Sequence, residues 1–273
     1  VLWVGLILIV LAVVMFVFSG KAADKALFMK ATETKKVGDV LSLIQEVSAD
    51  LGGGPTGYAE LAEFKGHFVT DEPVIGAFSN KPAAIVVTRV ERQYEERTEV
   101  RDSDGNYRVE WRRGSETVGG DRQTARFWLD DGTGRVRIDP NGASLDLVRV
   151  VDRFEPPNNV ESLSGGRMAL RLGGVSLSIG GVGSTRRTVG YKFTEEALPL
   201  DVPAYVLGEV ADTEEGLVVR KPADEDKKRP FVVSTKSEAE LVRSAESSAK
   251  WLRLGSYAVG AGGVVLALMG LVG

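Results

Sequence analysis

Apolar residues fall into three regimes along this chain. Val1 to Phe18 and Leu254 to Gly273 carry no charge, and a long stretch of polar and apolar alternation lies between them. Each terminal run is about as long as a helix needs to cross roughly 30 Å of hydrocarbon at about 1.5 Å rise per residue. They predict membrane-spanning helices over 1–19 and 254–273, with the polar remainder held between them. The first run starts without charge and ends Phe16, Val17, Phe18, Ser19, Gly20, so it lacks the charged start and small-x-small site of a cleaved signal. The second run is richer in small residues. Ser256 and Gly260, Ala258 and Gly262, and Gly263 and Ala267 are small-xxx-small pairs that admit a second helix, for which the first span is the natural candidate. Self-association through the same spans is a further expectation.

Between the spans the pattern predicts helix, then β structure, then helix. Lys21 to Ala31 continues the first span as a stalk, within a stalk and linker over 20–56, and Val40 to Val47 has the spacing of a short helix. From Tyr58 the period changes to two. Ala59 to Val69, Ala83 to Tyr94, Tyr107 to Arg113, Ala125 to Leu129, Arg135 to Ile138 and Val148 to Phe154 are expected strands, with hairpin signals at Asp104-Gly105 and Asp131-Gly132. A Gly-rich insertion over 158–190 keeps Met168, Leu170, Leu172, Val175, Leu177 and Ile179 near alternation, which predicts a glycine-interrupted hairpin. Ala204 to Val210, Leu217 to Arg220 and Phe231 to Ser234 complete a β-rich domain over 57–236. Ser237 with Glu240 three residues on is a capping box, and it opens an expected helix over 237–253 that runs on into the second span.

The flanks predict the orientation. Lys21, Lys25, Lys30, Lys35 and Lys36 follow the first span, Arg243, Lys250 and Arg253 precede the second, and the outer ends carry no cation. By the positive-inside rule the central domain is expected on the cytoplasmic side. A net charge of -4 argues against a general binder of nucleic acid, which would show a basic patch or stripe. With no Cys and a single His, disulfides, thiolate chemistry and Cys/His zinc sites are excluded, so neither a cofactor nor a metal is expected.

Candidate chemistry is sparse. Asp130-Asp131-Gly132-Thr133-Gly134 between two short strands predicts a tight hairpin, with Gly132 and Gly134 at positive φ and the aspartates bonding the turn backbone. A ligand or metal role for Asp130, Asp131 or Asp139 is the competing use, and Pro140 closes the motif. Asp102 to Asn106 resembles a calcium loop only faintly, His67 has no catalytic companions, and Gly173 to Gly183 lacks the Gly-Lys-Ser/Thr of a phosphate cradle. Arginines and glutamates interleave over Arg89 to Arg113, which suits cross-strand pairing on a solvated ribbon. Tyr94, Tyr107 and Trp111 supply aromatic anchors there, either for a partner or for core packing.

These residues also carry a family resemblance. Pro73-x5-Ser79-x2-Pro82, the strand with Val90, Glu91 and Arg92, the block Phe127 to Ala143 (FWLDDGTGRVRIDPNGA), Ala204 to Glu209 (AYVLGE) and Pro230-Phe231-x2-Ser234 together resemble the GIDE or BAM ("beside a membrane") domain. The resemblance implies a mainly β domain with an OB-like barrel, flanked by N- and C-terminal transmembrane helices. In eukaryotic members the domain sits between two spans of a mitochondrial outer-membrane E3 ubiquitin ligase and is followed by a RING finger. A RING needs about eight Cys/His ligands, and this chain has no Cys. Where many relatives carry Pro-Cys before the long strand, this chain has Pro82-Ala83. The expected function is a membrane-tethered, non-catalytic interaction domain with the lipid bilayer and a protein as partners. An OB-type binder of oligosaccharide or nucleic acid and an enzyme built on the aspartates are the alternatives.

Overall fold

The computed structural model describes residues 1–50, 52, 56–101, 106–157, 160–162, 168–172, 175–179, 186–223 and 229–272. In chain order the elements are α1 (Leu2–Ala31), α2 (Val37–Asp50), β1 (Ala59–Val69), β2 (Val74–Ile75), β3 (Pro82–Arg101), β4 (Tyr107–Thr124), β5 (Phe127–Asp130), β6 (Arg135–Ile138), β7 (Ser144–Asp146), β8 (Val148–Glu155), β9 (Val160–Ser162), β10 (Met168–Leu172), β11 (Val175–Ile179), β12 (Arg186–Pro199), β13 (Pro203–Thr213), β14 (Gly216–Arg220), β15 (Val232–Ser234) and α3 (Glu238–Val272). They form two compact units.

The first unit comprises 1–67, 128–146 and 203–273. Its strands follow the order β1-β5-β6-β14-β13, and β13 returns to pair with β1, so five strands close into a barrel. β6 and β14 run parallel, whereas β13 is antiparallel to both β1 and β14. Alternate residues fill it: Phe64 stands opposite Val206 in register, and both are fully buried with Leu129, Val136 and Val219. Each such side chain contributes about 1.5–3 kcal/mol on leaving water. The opposite face of β13 and β15 is also covered, because Met29 of α1 and Val242 of α3 pack on Tyr205, Leu207 and Val232. Covered on both sides, β13 is buried without a break from Ala204 to Ala211 rather than at alternate residues.

α1 and α3 are long and apolar enough to cross a membrane. They run antiparallel in contact: a Cβ on Gly255 would meet Met15, one on Gly260 would lie 3.4 Å from Ala12 Cβ, and one on Gly263 would lie 3.0 Å from the Gly5 carbonyl oxygen. Ser256, Gly260, Gly263 and Ala267 therefore face α1. The Ala258–Gly262 pair does not, since Ala258 is exposed and a Cβ on Gly262 would meet nothing within 4 Å. The outward faces expose Trp3, Ile7, Val10, Phe18, Val265, Leu268 and Met269. An apolar surface this continuous is unfavourable in water and matches a hydrocarbon surrounding. The polar end of α3 starts as expected, with Ser237 N–H donating to Glu240 Oε2 at 2.9 Å.

The second unit comprises 68–127 and 147–202. Its main sheet follows β2-β3-β12-β8, with β4 paired along the same side of β3 as β2. Phe78 meets Phe193 edge to face at 5.5 Å, Phe68 meets Phe127 at 5.7 Å, and Ala83, Val86 and Ala197 pack with Val74 and Val150. A separate three-stranded sheet follows β11-β10-β9, and Met168↔Ile179 to Leu172↔Val175 is the β10/β11 register. Two strands outrun their sequence expectation. β3 extends past Tyr94 to Arg101 and β4 past Arg113 to Thr124. Their ends are polar on both faces, so no apolar alternation marks them, and cross-strand ion pairs such as Arg113 with Glu95 at 3.2 Å take its place. β5 begins at Phe127 rather than Ala125, and α2 spans 14 residues rather than the expected 8.

Candidate interaction site

The β3/β4 ribbon sorts its aromatic rings by register. Arg97 pairs with Trp111, Glu99 with Val109 and Arg101 with Tyr107, so Tyr107, Val109 and Trp111 share one face of β4. They are 71%, 45% and 57% exposed. Among the described residues, the β12 pairing of β3 ends at Glu96, so this stripe lies on the part of the ribbon beyond that pair. Arg97, Glu99 and Arg101 flank the stripe on β3, and the Arg101 guanidinium sits 5.8 Å from the Tyr107 ring centre.

Tyr94 lies on the opposite face. It pairs with Gly114 and Thr188, and a Cβ on Gly114 would come within 2.7 Å of its ring. Arg186 stacks over the ring at 4.4 Å and Arg92 at 5.6 Å. Arg92 is 1% exposed, yet its guanidinium is satisfied: it donates to Thr188 Oγ1 at 2.8 Å, Glu116 Oε1 at 2.8 Å and the Arg186 carbonyl at 3.1 Å. A buried cation with three acceptors fastens β3, β4 and β12. Tyr94 thus belongs to packing, while Tyr107 and Trp111 stand out in solvent.

The Asp130–Gly134 hairpin is placed against α2. Asp130 accepts the Gly132 N–H at 2.9 Å and Arg135 Nε at 2.9 Å, while Asp131 accepts the Thr133 N–H, the Thr133 hydroxyl and the Gly134 N–H. Asp131 also reaches out of the hairpin and accepts the Val37 N–H at 2.8 Å, as Thr133 Oγ1 accepts the Gly38 N–H at 2.9 Å. These two donors open α2, whose own N-terminus, Lys36-Val37-Gly38, offers no capping side chain. The hairpin therefore caps a helix remote in sequence. Gly132 has φ 82 as expected, but Gly134 does not lie at positive φ. Gly134 is needed for close approach, since a Cβ there would lie 3.0 Å from Leu41 and 3.2 Å from Val37. Asp139 accepts the Asn141 N–H at 3.2 Å, and the Pro140 carbonyl accepts the Ala143 N–H at 3.1 Å, which makes the end of the block a second turn.

Burial pushes the Asp131 carboxyl up, but the hydrogen bonds from Thr133, Val37 and Gly134 outweigh it and leave the group below the usual carboxylate range. A depressed folded pKa stabilises above the unfolded value of about 4 and stops doing so as pH falls through the lower folded value. Asp131→Ala should cost about 2 kcal/mol at neutral pH, the size of a lost cap plus unpaired turn donors. In denaturant melts the gap between variant and wild type should close below about pH 4. A gap independent of pH would mean that the carboxylate charge is not what holds α2.

Other motifs are joints of the same kind. In the Pro73-x5-Ser79 segment, the Phe78 N–H donates to Glu195 at 2.7 Å, and the Ser79 N–H and hydroxyl donate to it as well. Glu195 is fully buried. Gly208 leaves room for the Phe231 ring, 2.7 Å from where its Cβ would stand, so AYVLGE and Pro230-Phe231 meet in space. In the first unit buried Glu63 accepts from the Tyr205 hydroxyl at 2.8 Å and from Thr34 Oγ1 at 2.5 Å, and pairs with Lys65 at 2.8 Å. Burial, reinforced by Glu63, pushes the Tyr205 phenol far up. Sequence alternation gave no sign of Glu63 or Glu195, because a glutamate on a strand looks the same whether its face is wet or covered.

His67 is exposed and pairs in register with Pro203. Residues 102–105 and all the glycines of 173–183 lie outside the described residues. Among the described residues, no three His, Asp or Glu side chains are grouped to hold a metal ion.

A closed barrel, a second β unit and two long apolar helices at the ends define a β domain framed by candidate membrane spans. A family model, GIDE, described as E3 ubiquitin ligase, matches residues 95–268, more than half of the chain, and the chain belongs to that family. No curated protein and no solved structure matches it.

Proposed function

We propose that this chain is a membrane-tethered, non-catalytic interaction domain of the GIDE type, and that the outer face of the β3/β4 ribbon receives a protein partner beside the bilayer. The exposed stripe of Tyr107, Val109 and Trp111 carries the proposal. Aromatic residues in reach of arginine are the composition of interface hot spots, and a solvated ribbon gains nothing in stability from displaying them. Ubiquitin transfer is not assigned to these residues, which offer His67 and no Cys to a zinc site. The family description fits this chain as a platform that holds a partner for chemistry done elsewhere.

The barrel supports an OB-like architecture: taken in chain order, its neighbours run first, second, third, fifth, fourth, and the third is parallel to the fifth. An oligosaccharide or nucleic-acid ligand would need an aromatic stacking platform on that barrel. Among the described residues, the barrel strands expose no large hydrophobic side chain, which favours the protein partner.

The lysines and arginines on the inner flanks support a cytoplasmic side for the domain. Because the chain has no cysteine, Trp111→Cys creates a single label site on the stripe. A membrane-impermeant maleimide should label it only after cells are permeabilised, and labelling in sealed cells would place the ribbon outside.

A further inference from the structure

α1 and α3 touch tightly over most of their apolar length and separate at one level. A groove of 420 Å³ opens between them, lined by Phe16, Ser19 and Gly20 of α1 and by Lys250, Arg253 and Tyr257 of α3. A Cβ on Gly20 would meet nothing within 4 Å, whereas a Cβ on Gly255, just past the groove, would press on Met15. This is also the level at which both helices change character. The first apolar run stops at Phe18 and the second starts at Leu254, and the two borders lie side by side. Exposed Trp251 and Tyr257 flank it as interfacial aromatics do.

The charges at this level are one-sided. Lys30, farther from the apolar run, is paired with Glu246, and Lys25 donates to Ser144 at 3.2 Å. Asp24 lines a different cavity with Lys21 and Lys25. Among the described residues, no carboxylate stands within ion-pair distance of Lys250 or Arg253. Arg253 Nε donates to the Tyr257 hydroxyl at 3.2 Å, which sets the guanidinium at the groove mouth.

We infer that this groove holds one anionic phospholipid, its phosphate on Lys250 and Arg253 and the start of its acyl chains against Phe16 and Tyr257. Basic pockets between transmembrane helices at the headgroup level suit anionic headgroups, and a zwitterionic headgroup gives back to its ammonium what its phosphate gains. The site would fix the depth of the hairpin. The inference rests on α1 and α3 being spans. A chain that failed to enter bilayers would sink that reading, while one that enters without lipid preference sinks the site alone.

The test is native mass spectrometry of the full chain released from nanodiscs of equal phosphatidylcholine and phosphatidylglycerol. The wild type should retain one phosphatidylglycerol per chain in preference to phosphatidylcholine, and Lys250→Gln with Arg253→Gln should cut that retention about tenfold. Gly20→Leu fills the groove with a better helix former and meets no protein atom at its Cβ, so it should lower retention with the fold intact. Equal retention of the two lipids by the wild type, or unchanged retention in Gly20→Leu, would overturn the inference.

Discussion

Ala12→Cys with Gly260→Cys should close an intramolecular disulfide in native membranes in nearly every chain. A Cβ on Gly260 would stand 3.4 Å from Ala12 Cβ, at the near edge of the roughly 3.5–4.5 Å that a disulfide spans. The chain has no other cysteine, so the product is unambiguous. The same contact predicts its own loss. Gly263 faces backbone, the Gly5 carbonyl and the Ile9 amide, each 3.0 Å from a Cβ placed there, and backbone within a helix cannot step aside as a flexible side chain can. Gly263→Leu must therefore push α1 and α3 apart. Without a hydrophobic drive between helices in lipid, close packing is the main force joining them, so disulfide yield should fall several-fold. A disulfide between chains instead of within one would transfer these small-residue faces to self-association and break the hairpin account.

Glu195→Ala should be the most damaging single substitution in the second unit, at about 3 kcal/mol. Glu195 lies in the middle of β12 opposite Thr88 of β3 and takes the donors of the turn at Phe78 and Ser79. Alanine leaves two backbone N–H groups and a hydroxyl without their acceptor, and a cavity beside the Phe78–Phe193 contact. Glu195→Gln keeps the shape but turns one acceptor oxygen into a donor facing donors, so it should cost about half as much. Hydrogen exchange reads the difference: amides of β2, β3 and β12 should speed up while those of β13 and β14 keep their protection. Acceleration spread evenly over both units would show that Glu195 acts on global stability rather than on the local turn.

The ends of this protein were legible because their signals are local. An uncharged run of about 18 residues specifies a helix long and apolar enough to span, and Ser237 with Glu240 specifies a helix start, whatever else the chain does. The ribbon was legible in kind but not in extent or facing. Side chains alternate with a period of two, so the face that Tyr94 shares is set by the β3/β4 register, in which Arg101 pairs with Tyr107, and a slip of one residue would put it on the face of Trp111. The role of Asp131 was hidden for a different reason. Its partner, the start of α2, lies 94 positions earlier, and no pattern within the hairpin announces it. The pattern points Gly134 to a turn role because glycine in a turn usually serves φ, while its actual constraint is the approach of Leu41 and Val37. The motifs that carry the family resemblance, the hairpin block, Pro73-x5-Ser79 and AYVLGE with Pro230-Phe231, are accounted for as packing joints. Tyr107, Val109 and Trp111 stay exposed and share one strand face, as the other exposed apolar residues of the second unit, Ile75, Val148 and Phe154, do not.

The central claim is therefore tested most directly by photo-crosslinking in intact membranes, with benzophenone maleimide on Trp111→Cys compared with the same reagent on Arg112→Cys one residue along the strand. The two positions differ only in face. The account predicts one discrete protein adduct from position 111, absent from position 112 and lost when Tyr107→Ser is added to the labelled chain. Adducts of equal yield from both positions, or none from position 111, would contradict it.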